Sequence, residues 1–290
     1  FAKESDFNNV SQKVDATYQK ELDKYNRITI NNRFNRQENP SSFEDDFGRR
    51  SGRYSYYRNS FDVEYERNIN KRLTAKGRYG NQVFGASNNS VTNSFQNNVG
   101  FEVNFIQSSA TYYLLGYDFY TRSYDSAGSL MVNAFSGGFK HFLTKQLYLL
   151  ARAGVSIVES VNGDSSAQPD IFVSLVDDLS ETNTVSLTYE KRNLPSSFSA
   201  DIFDSWRVSL NLRRRLLERM RMNLSVFLGE GEFKTLGTQD TQTGVKSQLN
   251  YELSKNTVSF LSYTFAQVDS NTNSRDYKRN LIELGLKVLF

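Results

Sequence analysis

The chain has 290 residues, 38% of them hydrophobic, and a formal charge of only +3, spread without the basic tail or stripe that nucleic-acid binding needs. It contains no Cys, which excludes disulfides, thiolate metal sites and a Cys nucleophile. Its 17 Tyr and 22 Phe against 3 Pro suit paired strands, because aromatics pack well on a pleated surface and Pro cannot donate to a ladder.

Taken in chain order, residues 1–9 are too short and polar to span a membrane, and Val10 to Leu22 forms the first clear strand. Phe61, Val63 and Tyr65 then alternate with Asp62, Glu64 and Glu66, and Val99, Phe101, Val103 and Phe105 with Gly100, Glu102 and Asn104. Val185, Leu187 and Tyr189 stand against Ser186, Thr188 and Glu190. Trp206, Val208, Leu210 and Leu212 stand against Arg207, Ser209, Asn211 and Arg213. The following segment sets Met220, Met222, Leu224, Val226 and Leu228 against Arg219, Arg221, Asn223 and Ser225. Val245, Leu249, Tyr251 and Leu253 oppose Lys246, Gln248, Asn250 and Glu252. A period of two repeated this often predicts strands with one apolar and one polar face.

About fifteen such segments are present, many of roughly 11–16 residues, against ~5–6 for a soluble strand and ~9–11 for a tilted membrane strand. No stretch approaches the ~20 consecutive apolar residues of a spanning helix. Tight connections fall near Asp23, Asn70, Gln107, Lys145, Glu181, Glu218 and Lys255. Longer polar ones run over Gln37 to Tyr54, Gly85 to Asn93, Ser160 to Pro169, Pro195 to Phe203, Glu232 to Thr243 and Asp269 to Asp276. Short turns on one side and long loops on the other predict an all-β, antiparallel transmembrane barrel of a Gram-negative outer membrane, with the short turns periplasmic. The expectation is one barrel domain over residues 1–290, of about 16 strands, or 18 if a further hairpin is absent from the sequence. Because the first clear strand descends from the outer side, at least one N-terminal strand is expected to be missing from the sequence.

With the apolar face outward, the lumen receives Arg207, Arg213, Arg215, Arg219, Arg221, Lys246, Arg279 and Lys287 from late strands. Early strands contribute Asp62, Glu64, Glu66, Glu102, Asp118, Lys76, Arg78, Arg27 and Arg33. Such groups either line a selective pathway or solvate and brace the lumen, and the pattern leaves both open. Tyr112, Tyr120, Phe172 and Phe227 share that parity and are candidate sugar platforms or packing groups. Catalysis is not expected, since the lone His141 has no triad around it and the pairs Asp177-Asp178 and Asp45-Asp46 are not placed as dyads. Neither a cofactor nor a metal is implied.

The last segment sets Ile282, Leu284, Leu286, Val288 and Phe290 against Glu283, Gly285 and Lys287, and resembles the assembly signal of outer-membrane barrels. The run from Tyr189 through Asn193, Pro195, Asp201, Asp204 and Trp206, the Arg213-Arg214-Arg215 triplet, and Asp276 to Asn280 resemble the β-barrel porins encoded in exopolysaccharide gene clusters of proteobacteria. The resemblance covers roughly the last third. It implies a channel exporting a polysaccharide, with a periplasmic export protein as partner, besides the barrel-assembly machinery and outer-membrane lipid and lipopolysaccharide. The alternatives are a general or substrate-selective diffusion porin and a structural sheath around a periplasmic or electron-transfer partner.

Overall fold

A computed structural model describes residues 12–37, 55–87, 92–125, 128–159, 165–195, 201–272 and 275–288. They form fifteen antiparallel strands in one sheet, each paired with its neighbours in chain order. The strands are β1 (Gln12–Glu21), β2 (Asn26–Gln37), β3 (Tyr56–Asn68), β4 (Leu73–Ala86), β5 (Ser94–Ile106), β6 (Thr111–Tyr124), β7 (Gly128–Phe142) and β8 (Leu147–Glu159). They continue as β9 (Ser165–Ser180), β10 (Asn183–Pro195), β11 (Ile202–Leu217), β12 (Met220–Phe233), β13 (Gln239–Ser254), β14 (Thr257–Ser270) and β15 (Tyr277–Val288). β1 and β15 each have one neighbour, so the sheet is not closed among the described residues.

The expected tight turns sit where predicted, and local polar side chains build them. Asp23 accepts from the backbone of Tyr25 and Asn26, Asn70 from Arg72 and Leu73, Ser108 from Ala110 and Thr111, and Thr144 from Gln146 and Leu147. A short side chain that satisfies N–H groups two and three residues on fixes a reversal without a long loop. The opposite end departs from expectation at two places. Strands β12 and β13 continue to Phe233 and from Gln239, so the polar stretch Glu232 to Thr243 is mostly strand, reversed by Gly237 at φ +61°. It reads as loop because strand tips above the bilayer carry polar residues on both faces. Likewise β9 begins at Ser165, inside the stretch expected to be loop. Among the other expectations, residues 1–9, Asp45-Asp46 and Phe290 lie outside the described residues.

Register fixes the faces. The chain of opposed residues Leu212, Leu224, Ser247, Tyr263 and Ile282 lies on one face, and Arg213, Asn223, Gln248, Ser262 and Glu283 on the other. Curvature decides which is inside. Arg152 on β8 is paired with Glu102 on β5 at 2.9 Å, although three strand spacings of ~4.8 Å separate their strands. Side chains close such a gap only from the concave side, so the polar face is the interior. Arg78 on β4 reaches Asp118 on β6 at 3.0 Å in the same sense, passing over Gly100 of β5. A Cβ there would overlap the Asp118 carboxylate and meet Arg78 Nε at 3.1 Å.

The convex face is apolar and open. Leu284 is 81% exposed and Leu115 68%, which in water would be a large sticky surface and in lipid is the solvated one. On β12 the apolar run from Met220 to Leu228 covers about 20 Å of membrane at ~3.3 Å per residue and ~40° tilt, close to the ~25 Å band of such barrels. Above it the convex face turns ionic, with Asp204 pairing Lys191 at 3.8 Å and Lys234 at 3.1 Å.

Candidate lumen and solute path

The strand register places Asp62, Glu64, Glu66, Glu102 and Asp118 on the concave face, together with Arg27, Arg33, Lys76 and Arg78. From the later strands come Arg207, Arg213, Arg215, Arg221, Lys246, Arg279 and Lys287. Arg219 differs, because it lies in the two-residue turn between β11 and β12. Tyr112, Tyr120, Phe172 and Phe227 are concave as well. His141 sits at the lower end of β7 in register with convex-face residues, and its Nδ1 contacts Thr111 Oγ1 at 2.9 Å. Asp177 and Asp178 are split between the two faces, with Asp178 accepting from Thr184.

Pairing divides these charges sharply. Most of the acidic set is neutralised: Glu66 by Arg27 at 2.9 Å and Lys76 at 3.1 Å, Glu102 by Arg152 of β8, and Asp118 by Arg78. On the basic wall Arg221 is paired with Glu252 at 2.7 Å, Arg215 donates to the Glu218 carbonyl, and Arg207 stacks 4.0 Å above Phe227. The arginines of β11 and β12 are therefore not one uniform positive patch. Arg213 and Lys246 are exposed to the lumen with no ion-pair partner among the described residues.

Two cavities follow this wall. The lower one, about 510 Å³, lies near the tight-turn end and is lined by residues including Tyr148, Asn211, Arg213, Asn223, Lys246 and Gln248. The upper one, about 440 Å³, is lined by residues including Ser136, Arg152, Asp170, Phe172, Glu190 and Arg192. They adjoin along β8, where Tyr148 lines the lower and Leu150 the upper. Lys140 caps Tyr148, its Nζ 3.8 Å from the ring centroid. Arg152 and Tyr148 escape a reading from sequence because β8 is apolar on both faces around Leu147 to Val158 and its alternation is blurred. Parity counted from the turn at Thr144 would have found them.

Toward the long-loop end the interior becomes tightly packed. Tyr124, Leu130, Val132 and Val158 of β6–β8 are buried in one cluster with Ile202 of β11, and Tyr120 packs against it. Ile202 belongs to a strand three positions away, so the start of β11 leans across the concavity. Asp201, buried beside it, accepts from the backbone of Thr235 and Leu236 and ties that tip to the β12–β13 turn. Phe203 and Phe233 stack at 4.7 Å next to it, and Arg275 pairs with Asp240.

A single antiparallel sheet with a lipid-type convex face and a charged concave one defines an outer-membrane β-barrel of porin-like type, at home in the outer membrane of Gram-negative bacteria. Residues 202–290 match the family described as "Putative beta-barrel porin 2", so the last third of the chain carries the signature of a β-barrel porin family. No curated protein matches the sequence. Among solved structures, the ferripyoverdine receptor of the outer membrane of Pseudomonas aeruginosa aligns at TM-score 0.58 and 11% identity, over 97% of this chain and 52% of the receptor. The FrpB iron transporter of Neisseria meningitidis aligns at 0.58 and 8%, over 93% and 54%. The alcaligin outer-membrane receptor FauA of Bordetella pertussis aligns at 0.52 and 13%, over 96% and 57%. At these identities the likeness is one of fold, and the chain spans about half the length of the structures it matches.

Proposed function

We propose that the barrel is a channel through which a polysaccharide crosses the outer membrane, leaving the periplasm along the β7–β13 wall. The observation that carries this reading is the pair of adjoining cavities on that wall. Together they present two aromatic rings, Phe172 and Tyr148, and a ladder of amide, hydroxyl and charged groups spaced along the barrel axis. A sugar chain offers alternating apolar ring faces and hydroxyl edges, so a track of this composition holds it weakly at many points. Weak, repeated binding is what passage requires. The described residues along this wall do not bring a nucleophile, a base and an orienting group together, and we read the wall as a transport path.

Purified barrel in planar bilayers tests the reading. Single-channel current is expected, interrupted by reversible blocks when an oligosaccharide of six or more sugars is added on the side of the short turns. Current without oligosaccharide block would favour a small-solute diffusion porin, and absence of current would favour a sheath around a partner.

A further inference from the structure

We infer that the lower cavity is a subsite for acidic sugars, taking the carboxylate of a uronic acid unit on Arg213 and Lys246. The inference rests on the channel reading above and names the substrate class of its periplasmic entrance. Every other basic side chain that β11–β13 place on the concave face has a local partner: Arg221 has Glu252, Arg215 the Glu218 carbonyl, and Arg207 the Phe227 ring. Arg213 and Lys246 do not, yet both line the same cavity of about 510 Å³.

Their register explains why they act together. Arg213 lies opposite Asn223, Asn223 opposite Gln248, and Lys246 opposite Ser225. The two cations thus flank β12, their Cα atoms roughly 12 Å apart from two strand spacings of ~4.8 Å and a two-residue offset of ~3.3 Å per residue, with amides and hydroxyls between them. A guanidinium fork binds a carboxylate in plane through two N–H donors, and a lysine adds a mobile point charge. Asn211, Asn223 and Gln248 offer both donors and acceptors to the ring hydroxyls around that carboxylate. Among the described residues the one acidic group on the cavity lining is Asp178, engaged by Thr184 at 3.0 Å. The cavity is therefore net positive inside a lumen whose acidic side chains on β3–β6 are largely neutralised by their own cations. A neutral sugar gains only the amides there; a uronate gains both charges.

Block of single-channel current by oligogalacturonate and by maltohexaose, each of six sugars, reads this directly. The wild-type channel should be blocked about tenfold more tightly by the uronate at low salt, the advantage shrinking as salt is raised. The Arg213→Gln/Lys246→Gln double variant should lose that advantage while still being blocked by maltohexaose, and Arg213→Lys/Lys246→Arg should keep most of it. Retained maltohexaose block also shows that the variant has folded and kept its path. Equal block of the wild type by the two sugars, or an advantage that survives removal of both cations, overturns the inference and leaves the channel reading standing. Block by neither sugar refutes the channel reading and this inference with it.

Discussion

Placing arginine at Leu224 should damage the barrel far more than placing it one residue earlier. Leu224 is midway along the apolar run Met220 to Leu228 of β12 and faces outward, so it lies near the centre of a band about 20 Å tall at ~3.3 Å per residue and ~40° tilt. Arginine on the lipid face at that depth costs ~2–4 kcal/mol. Asn223 points into the lumen, where water solvates the new guanidinium. Arg213 stands directly opposite, and a like-charge pair across a strand costs up to ~1 kcal/mol. Leu224→Arg should therefore lower the unfolding free energy in lipid vesicles by at least about 1–2 kcal/mol more than Asn223→Arg, read from urea titrations followed by the heat-dependent shift in gel mobility. Equal costs for the two substitutions would show that the faces have been assigned wrongly.

Gly244 lies under the Phe227 ring, where a Cβ would overlap it, so Gly244→Ala should cost ~1–3 kcal/mol through overpacking and disturb the Arg207 stack, as urea titration of the folded barrel would show. The Arg152–Glu102 bridge spans β5 to β8, and a double-mutant cycle with Arg152→Ala and Glu102→Ala should return a coupling of about 0.5–3 kcal/mol. A value near zero would mean that the pair does not brace the wall. In the β1–β2 turn the Asn26 side-chain amide, with backbone N–H groups of Tyr25 and Asn26, holds the Asp23 carboxyl below its ordinary value of 3.8. The carboxylate form is the one the turn stabilises, so this contribution is complete above pH 3.8, shrinks as pH falls below it and is gone below the depressed pKa. A carboxyl titration by NMR should give Asp23 a midpoint below 3.8, and a midpoint at or above it would refute the clamp.

The alternation of residues such as Trp206 to Leu212 made the facing of the late strands legible, because a period of two survives whatever the strands pair with. The tight turns were legible too, since Asp23 and Asn70 act on N–H groups only two or three residues away. What alternation cannot carry is the partner of a charge. Arg207, Arg213 and Arg221 look alike in sequence, yet one stacks on a ring, one is bare and one is paired, and those differences come from β12 and β13 lying alongside. β8 hid its inward residues for the opposite reason: Leu147, Leu149 and Leu150 make both faces apolar, so Tyr148 and Arg152 stood out on neither. The narrowing of the outer end depends on Ile202 meeting Val158, a contact between strands more than forty residues apart.

The claim that a polysaccharide leaves the cell through this barrel is tested most directly by deleting its gene and measuring where extracellular polymer accumulates. The account predicts that surface polymer is lost and periplasmic polymer rises, with both restored by the wild-type gene. Unchanged surface polymer in the deletion strain would contradict it.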